Sequence, residues 1–545
     1  MAGAIGRRSF IAGISGVMMA GNSRASDASV VEIDTGKLGG VTEGGVSRFI
    51  GIPYAAPPVG ALRYRSPVAA APWSGVRDAT KPGAASIQTL GGAAAWLYEG
   101  AEPQGEDCLF LNVWTPAAKG ARKPVMVWLH GGAWRTGHGM VAGTNGALLS
   151  QIGDVVVVTV NYRLGALGWL AHPDLKDPTT GAFANWGHQD QIAALRWVQR
   201  NIAAFGGDPG NVTIFGQSAG GQSVASIAQN PANKGLFHKA IIESGSLHGA
   251  PGFPEVATAA AYAEALAKRL NTTIAGLGLV SAKQLHDTEL QLGRDPAMVR
   301  SLGRPPILPV LDDNVLKAWP RDGALPEGVP LLIGTTRTEG SFWFDLVGPD
   351  GKLVPGLASP QTDADLEPWI KDIAAIYRPE GPASSFAEVA AAYRAAAGEA
   401  GEAITPKSLW VNIYTDVVFR LRALAAAKRH AAAGNTTYLY EFQHPLFAPA
   451  HGVPHTAEIP FVFGTYKHPF FASKVGAGET EAALSDAMLR SWAAFAHDGV
   501  PKAPQAEKWM PATASAVPVN LLGGAGALLG VAPSVRPTQT AAWKI

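Results

Sequence analysis

The chain has 545 residues, 47% of them hydrophobic and 16% charged, with 44 Lys and Arg against 43 Asp and Glu. That balance excludes a disordered chain, and a net charge of +1 offers no electrostatic attraction to nucleic acid or to an acidic membrane surface. The single cysteine, Cys108, excludes an intramolecular disulfide and any metal site built on several thiolates, and is expected to be a small buried hydrophobe.

Residues 1–28 are expected to be an export signal. Arg7 and Arg8 precede an apolar stretch from Phe10 to Ala20, which is shorter than the roughly 20 residues needed to cross a bilayer. The Arg7-Arg8-Ser9-Phe10-Ile11 run looks like a bacterial twin-arginine signal. Cleavage after Ala25 or Ala28 would release a periplasmic or secreted protein, with 29–545 as one domain. No later segment is apolar for long enough to be a membrane helix.

Strands and helices then alternate. Pro124–His130 and Val155–Tyr162 are apolar, β-branched runs without polar alternation, as parallel strands covered on both faces require. His188–Phe205 carries Ile192, Leu195, Val198, Ile202 and Phe205 at helical spacing and ends at a Gly206–Gly210 stop. Asn211–Phe215 is a further strand, and Ala219–Gln229 a helix. Strands are also expected at Pro330–Gly334 and Thr436–Phe442. Helices are expected near Val256–Leu270, Phe386–Ala397, Trp410–Ala433 and Leu484–His497, with Gly340–Ser385 as insertions. This order predicts an α/β fold with a mostly parallel central sheet flanked by helices and carrying large insertions.

Ser218 lies between the Asn211–Phe215 strand and the Ala219–Gln229 helix, within Gly216-Gln217-Ser218-Ala219-Gly220. A serine hydroxyl becomes a useful nucleophile when a base takes its proton. In α/β-hydrolases such a serine sits on a strained strand-to-helix turn whose neighbours two before and two after are small. The Ala219 N–H would then face the substrate oxygen at the positive end of the helix. His130-Gly131-Gly132-Ala133-Trp134 follows an earlier strand, and its backbone can supply further donors, with Gly132, Ala133 and Ala219 as the oxyanion set. Asp312, Asp313, Asp345 and Glu339 near the Pro330–Gly334 strand are candidate acids. His444, His451 and His455 after Thr436–Phe442 are candidate bases.

Several ordered runs together resemble the type-B carboxylesterase family, the relatives of cholinesterases: Phe49–Pro58, Glu106–Val113, His130–Trp134, Asn161–Gly165, Asn201–Pro209, Gly216–Gly221, Glu243–Ser246, Ala457–Gly464 and Trp492–Gly499. The resemblance covers about 30–515. It implies a Ser-His-Glu triad of Ser218, His455 and Glu339, an acyl-enzyme intermediate, and hydrolysis of small-molecule carboxylic esters with no cofactor and no metal. It also implies that buried Ser244 supports the acid by a hydrogen bond. The family commonly has glutamate where Gln217 stands, so a cationic ester is not the expected substrate. Its early disulfide would join Cys108 to the position of Ser86, so that loop is expected to be unstapled. Thr338 stands where aspartate is frequent.

Trp134 and Gln217 are expected to contact substrate, with Trp96, Trp343 and Phe344 as further wall candidates. Aromatic walls favour apolar or aromatic esters of small to medium size. Asp190 is expected to be structural. A lipase or amidase on the same scaffold differs in chain-length preference or in amide cleavage. An adhesion-type module without catalysis would lack the triad.

Overall fold

A computed structural model describes residues 27–90, 103–116, 120–247, 252–295, 307–323, 325–345, 357–446, 452–504, 506, 508–524, 528–534 and 536–543. Residues 1–26 of the expected export signal, Trp96 and His451 lie outside these residues, while Asp27 and Ala28 at the signal's expected end lie in the first strand.

Fifteen strands follow in order among the described residues. They begin with β1 (Asp27–Ile33), β2 (Gly36–Glu43), β3 (Val46–Pro53), β4 (Val76–Asp78), β5 (Ala85–Ser86), β6 (Gln104–Gly105) and β7 (Phe110–Thr115). The central set is β8 (Lys123–Leu129), β9 (Val156–Val160), β10 (Gly207–Gln217), β11 (Lys239–Glu243), β12 (Leu331–Thr336) and β13 (Thr437–Phe442). β14 (Val519–Leu522) and β15 (Leu529–Ala532) close the order. The main sheet runs β1-β2-β3-β7-β9-β8-β10-β11-β12-β13-β14-β15, with β4 beside β2. From β9 to β14 every pairing is parallel, whereas β1-β2-β3-β7-β9 and β14-β15 are antiparallel.

Every residue of β9, β11, β12 and β13 is buried. The apolar runs lack alternation because both faces are covered. Val125, Val127 and Leu129 of β8 join one core with Ile192, Leu195, Val198 and Ile202 of the Trp186–Asn201 helix and its 3₁₀ extension. Met126 and Trp128 point to the other core, with Phe215, Met488 and Trp492.

Three expectations change. Gly206 does end the helical run, with φ 80°, but β10 already begins at Gly207, so the glycine-rich stop is also a strand start. The expected helix Trp410–Ala433 is three pieces: Pro406–Thr415, a π-turn at Asp416–Arg420, and Leu421–Ala432. The Gly340–Ser385 insertion contains a helix, Asp363–Tyr377, started by a Thr362–Asp365 capping box and tolerating Pro368 in its second turn. Cys108 is free and buried. Ser86 is buried beside it and accepts the Leu164 N–H at 3.1 Å, so a hydroxyl stands where a thiol would have stapled the loop.

Candidate active site

The parallel strands end on one edge of the sheet, and the site assembles there. Ser218 lies between β10 and the Ala219–Gln229 helix with φ 60° and ψ −124°, a strained conformation for a residue with a side chain. Its N–H donates to the Glu243 carbonyl at 2.9 Å, and its own carbonyl accepts from Gln222. The small neighbours are a steric necessity. A Cβ on Gly220 would stand 1.9 Å from the Leu129 carbonyl oxygen, and one on Gly216 would stand 2.5 Å from the same atom.

The oxyanion loop follows β8. Gly132 has φ 104°, Ala133 53° and Trp134 58°, a run that turns successive N–H groups. The Gly132 carbonyl accepts from Arg135 and Thr136, while Gln88 binds Gly137 in both directions at 2.7 and 2.9 Å. Tyr162 stacks on His130 at 4.2 Å and donates to the His130 carbonyl at 2.6 Å. Among the described residues, the N–H groups of Gly132, Ala133 and Ala219 donate to no protein acceptor.

Glu339 follows β12 and is fully buried. Its Oε1 accepts the Thr336 N–H at 2.8 Å, and its Oε2 lies 2.6 Å from Nδ1 of His455, which is 2% exposed. Thr338 ties the two turns together: its N–H donates to the Val453 carbonyl and its hydroxyl accepts the Val453 N–H. The structure therefore brings Glu339 and His455 together from the alternatives left open by chain order. His444 instead sits 3.2 Å from Glu481, and Asp312 accepts three backbone N–H groups in its own turn. The His455 ring is packed against Trp343 at 5.0 Å, Phe419 at 5.0 Å and Phe342 at 5.7 Å.

Four residues sit differently from expectation. Trp134 is a core residue, 4% exposed: its indole N–H donates to Ser223 and its ring packs on Trp169 and Phe253, each at 5.7 Å. The left-handed turn at Ala133 and Trp134 accompanies an indole anchored in the core, not a pocket wall. Gln217 turns its amide to the His455 ring, with Nε2 3.1 Å from His455 Nε2. Ser244 donates not to Glu339 but to Glu458 Oε1 at 3.3 Å, because its φ of 47° aims it at the histidine-bearing segment. Phe344 packs into an outer core with Trp410 and Tyr414, leaving Trp343 as the aromatic beside His455. Asp190 is structural, holding the Arg163 guanidinium and N–H at 2.7–3.0 Å.

Two further carboxylates belong to this neighbourhood. Glu243 ends β11 and Glu458 follows His455 by three positions, and both are fully buried. Each breaks an apolar run, Ala240-Ile241-Ile242-Glu243 and Ala457-Glu458-Ile459-Pro460. Both also lie in runs that carry the family resemblance, Glu243–Ser246 and Ala457–Gly464. Among the described residues, no group of His, Cys, Asp and Glu is arranged to hold a metal ion.

A strained serine turn after a central strand, a glycine loop after the neighbouring strand, and a buried Glu–His pair following β12 and β13 match an α/β-hydrolase. The chain belongs to the carboxylesterase family, whose model matches residues 27–527. It is 36% identical over 493 residues to a mouse acylcarnitine hydrolase, covering 86% of this chain and 82% of the relative. It is 35% identical over 501 residues to the Bacillus subtilis para-nitrobenzyl esterase, covering 88% and 92%. A solved Geobacillus stearothermophilus carboxylesterase superposes with a TM-score of 0.77 at 32% identity, over 94% of this chain and 99% of the other. The protein is a carboxylic ester hydrolase.

Proposed function

We propose a serine esterase in which Ser218, His455 and Glu339 form the triad and small to medium apolar or aromatic esters are the substrates. The observation that carries this reading is the 2.6 Å contact of Glu339 Oε2 with His455 Nδ1, with the amide of Gln217, the residue before Ser218, 3.1 Å from His455 Nε2. Glu339 holds the proton of His455 on Nδ1, which leaves the Nε2 lone pair to act as base. Ser218 attacks the ester carbonyl as His455 takes its proton, and Gly132, Ala133 and Ala219 stabilise the oxyanion. His455 then gives the proton to the leaving alcohol. The resulting acyl-enzyme is released by water activated on the same nitrogen.

Trp343, Phe342 and Phe419 around His455 support an aromatic preference, and so does a relative named for a para-nitrobenzyl ester. The Arg7-Arg8 run and the apolar stretch after it support export to the periplasm or medium; N-terminal sequencing of the mature protein tests that part.

The decisive experiment is a panel of aryl esters, an alkyl ester chain-length series and matching amides, run on wild type and Ser218→Ala. Loss of at least about 10³-fold in kcat for Ser218→Ala is expected, with short and aryl esters preferred. Full activity in Ser218→Ala sinks the triad. A strong long-chain or amide preference would move the substrate class.

A further inference from the structure

The proposed oxyanion donors come from two separate elements. Gly132 and Ala133 lie on the loop after β8, while Ala219 opens the Ala219–Gln229 helix after β10. Donors stabilise a developing oxyanion only if they are in place when the charge appears. The loop and the helix must therefore keep a fixed register. The loop is the strained partner, because Ala133 and Trp134 carry side chains at φ 53° and 58°. Left-handed backbone at such residues costs free energy and persists only where the surroundings over-determine it.

Two hydrogen bonds hold this turn at Trp134. Its carbonyl accepts the Gly165 N–H at 2.8 Å, and its indole N–H donates to Ser223 Oγ at 3.2 Å. Ser223 stands one helical turn beyond Ala219 on the same helix. The indole bond thus runs from the loop half of the donor set to the helix half. Ser223 is held in turn. Gln191 Nε2 donates to the same Oγ at 3.3 Å, and Gln191 Oε1 faces His188 Nδ1 at 2.9 Å. Burial lowers His188 to about 4, so at neutral pH the ring is uncharged. With the Gln191 nitrogen committed to Ser223, the His188 Nδ1–H donates to the Gln191 oxygen. Trp134 is 4% exposed and Ser223, Gln191 and His188 are fully buried. Hydrogen bonds are electrostatically stronger in such surroundings than in water.

We propose that Ser223 is a positioning residue for the oxyanion hole: by accepting the Trp134 indole N–H it clamps the left-handed Ala133–Trp134 turn to the nucleophile helix, so that the loop donors and Ala219 aim at one point. The inference rests on the triad and donor set assigned above.

Packing and hydrogen bonding are separable at Trp134. Its ring packs on Trp169 and Phe253, each at 5.7 Å, and phenylalanine can keep such ring contacts. Phenylalanine has no N–H, so it cannot reach Ser223 with a donor. Without that bond the strained turn is free to relax, and relaxation at Ala133 rotates its N–H away from the direction of the Ala219 N–H.

The test uses Trp134→Phe, Ser223→Ala and the double variant on an aryl ester. Trp134→Phe leaves Ser223 its bond from Gln191, whereas Ser223→Ala removes the acceptor of both donors. Each single variant should lower kcat about 10- to 100-fold with KM changed by less than about twofold. The double variant should fall no further than the worse single one, because both changes remove the same contact. Inhibitors supply the readout that a merely structural role would not move. An aryl trifluoromethyl ketone puts an oxyanion in the hole when Ser218 adds to it, so its inhibition constant should rise in step with the loss of kcat/KM. The matching compound with CH₂ in place of the carbonyl should bind as it does to wild type. Single variants with kcat within about twofold of wild type, losses that multiply in the double variant, or equal losses of affinity for the two inhibitors would each overturn the clamp. If Ser223→Ala does not fold, Trp134→Phe decides through kcat and the inhibitor pair. A fully active Ser218→Ala sinks the triad itself, whereas an inactive Ser218→Ala beside a fully active Trp134→Phe sinks the clamp alone.

Discussion

Glu339 uses both carboxylate oxygens, one on the Thr336 N–H and one on His455 Nδ1. Glu339→Gln can keep the first contact and loses acceptance of the ring proton if its amide nitrogen takes the second position. The histidine then favours the wrong tautomer, and we predict a fall in kcat of about 10³–10⁴-fold with KM little changed, measured on an aryl ester with circular dichroism confirming the fold. Gln217 offers the complementary change. A carboxylate in place of an amide nitrogen 3.1 Å from His455 Nε2 favours the imidazolium. In Gln217→Glu the acid limb of kcat/KM should therefore move to higher pH, by about one unit. Affinity for a cationic ester should rise at the same time. An unmoved acid limb would show that the side chain at position 217 faces away from the ring. The pairing of Glu339 with His455 was legible only through the resemblance of the ordered runs, because chain order alone left four acids and three histidines open. The partners of Ser244 and Trp134 were not legible, since a left-handed backbone at either residue redirects its side chain and leaves no trace in residue type.

The elements that aim these residues are tightly constrained. Gly220 lies in the first turn of the helix after Ser218, where even one methyl group would collide with the Leu129 carbonyl. Gly220→Ala should push the helix off β8, lowering the melting temperature and abolishing activity together; a stable, active variant would contradict the packing. The π-turn Asp416–Arg420 is the second such element. It sets Phe419 against His455 while Arg420 bonds Asp416, Glu441 and the Arg337 carbonyl. Arg420→Ala would leave two buried carboxylates unpaired, and a loss of about 3–5 kcal/mol is expected in denaturant unfolding. The parallel strands were legible as unbroken apolar runs because both faces are buried. The π-turn was hidden: Trp410–Ala433 has helical periodicity throughout, and the extra residue is imposed by the buried ion pairs it serves.

At the scale of the whole molecule, buried titratable groups set opposing slopes of stability against pH. Burial lowers His130 to about 3, and His138 and His188 to about 4, and it also lowers His238 and His430. These groups stay neutral when folded but take up protons when unfolded, so their contribution is present above the unfolded value near 6.5 and is lost as pH falls toward the folded values. Each fully depressed site is worth up to about 1.4 kcal/mol per pH unit in that window. Glu243 acts in the opposite sense. Its folded value of about 8 lies above its ordinary 4.5, so the folded state binds more protons and stability falls between those two values as pH rises. Between pH 4.5 and 6.5 several histidines outweigh the one proton on Glu243, and stability should climb. Well above 6.5 the histidines are neutral in both states and the glutamate slope remains. The melting temperature should therefore peak at about pH 7, fall steeply on the acid side and fall gently to pH 8, as read by calorimetry at constant ionic strength. Glu243→Gln should flatten the alkaline side and steepen the acid side, and His188→Gln should soften only the acid side. A melting temperature that keeps rising from about pH 7 to 8 in the wild-type protein would mean that Glu243 is ionised throughout that range.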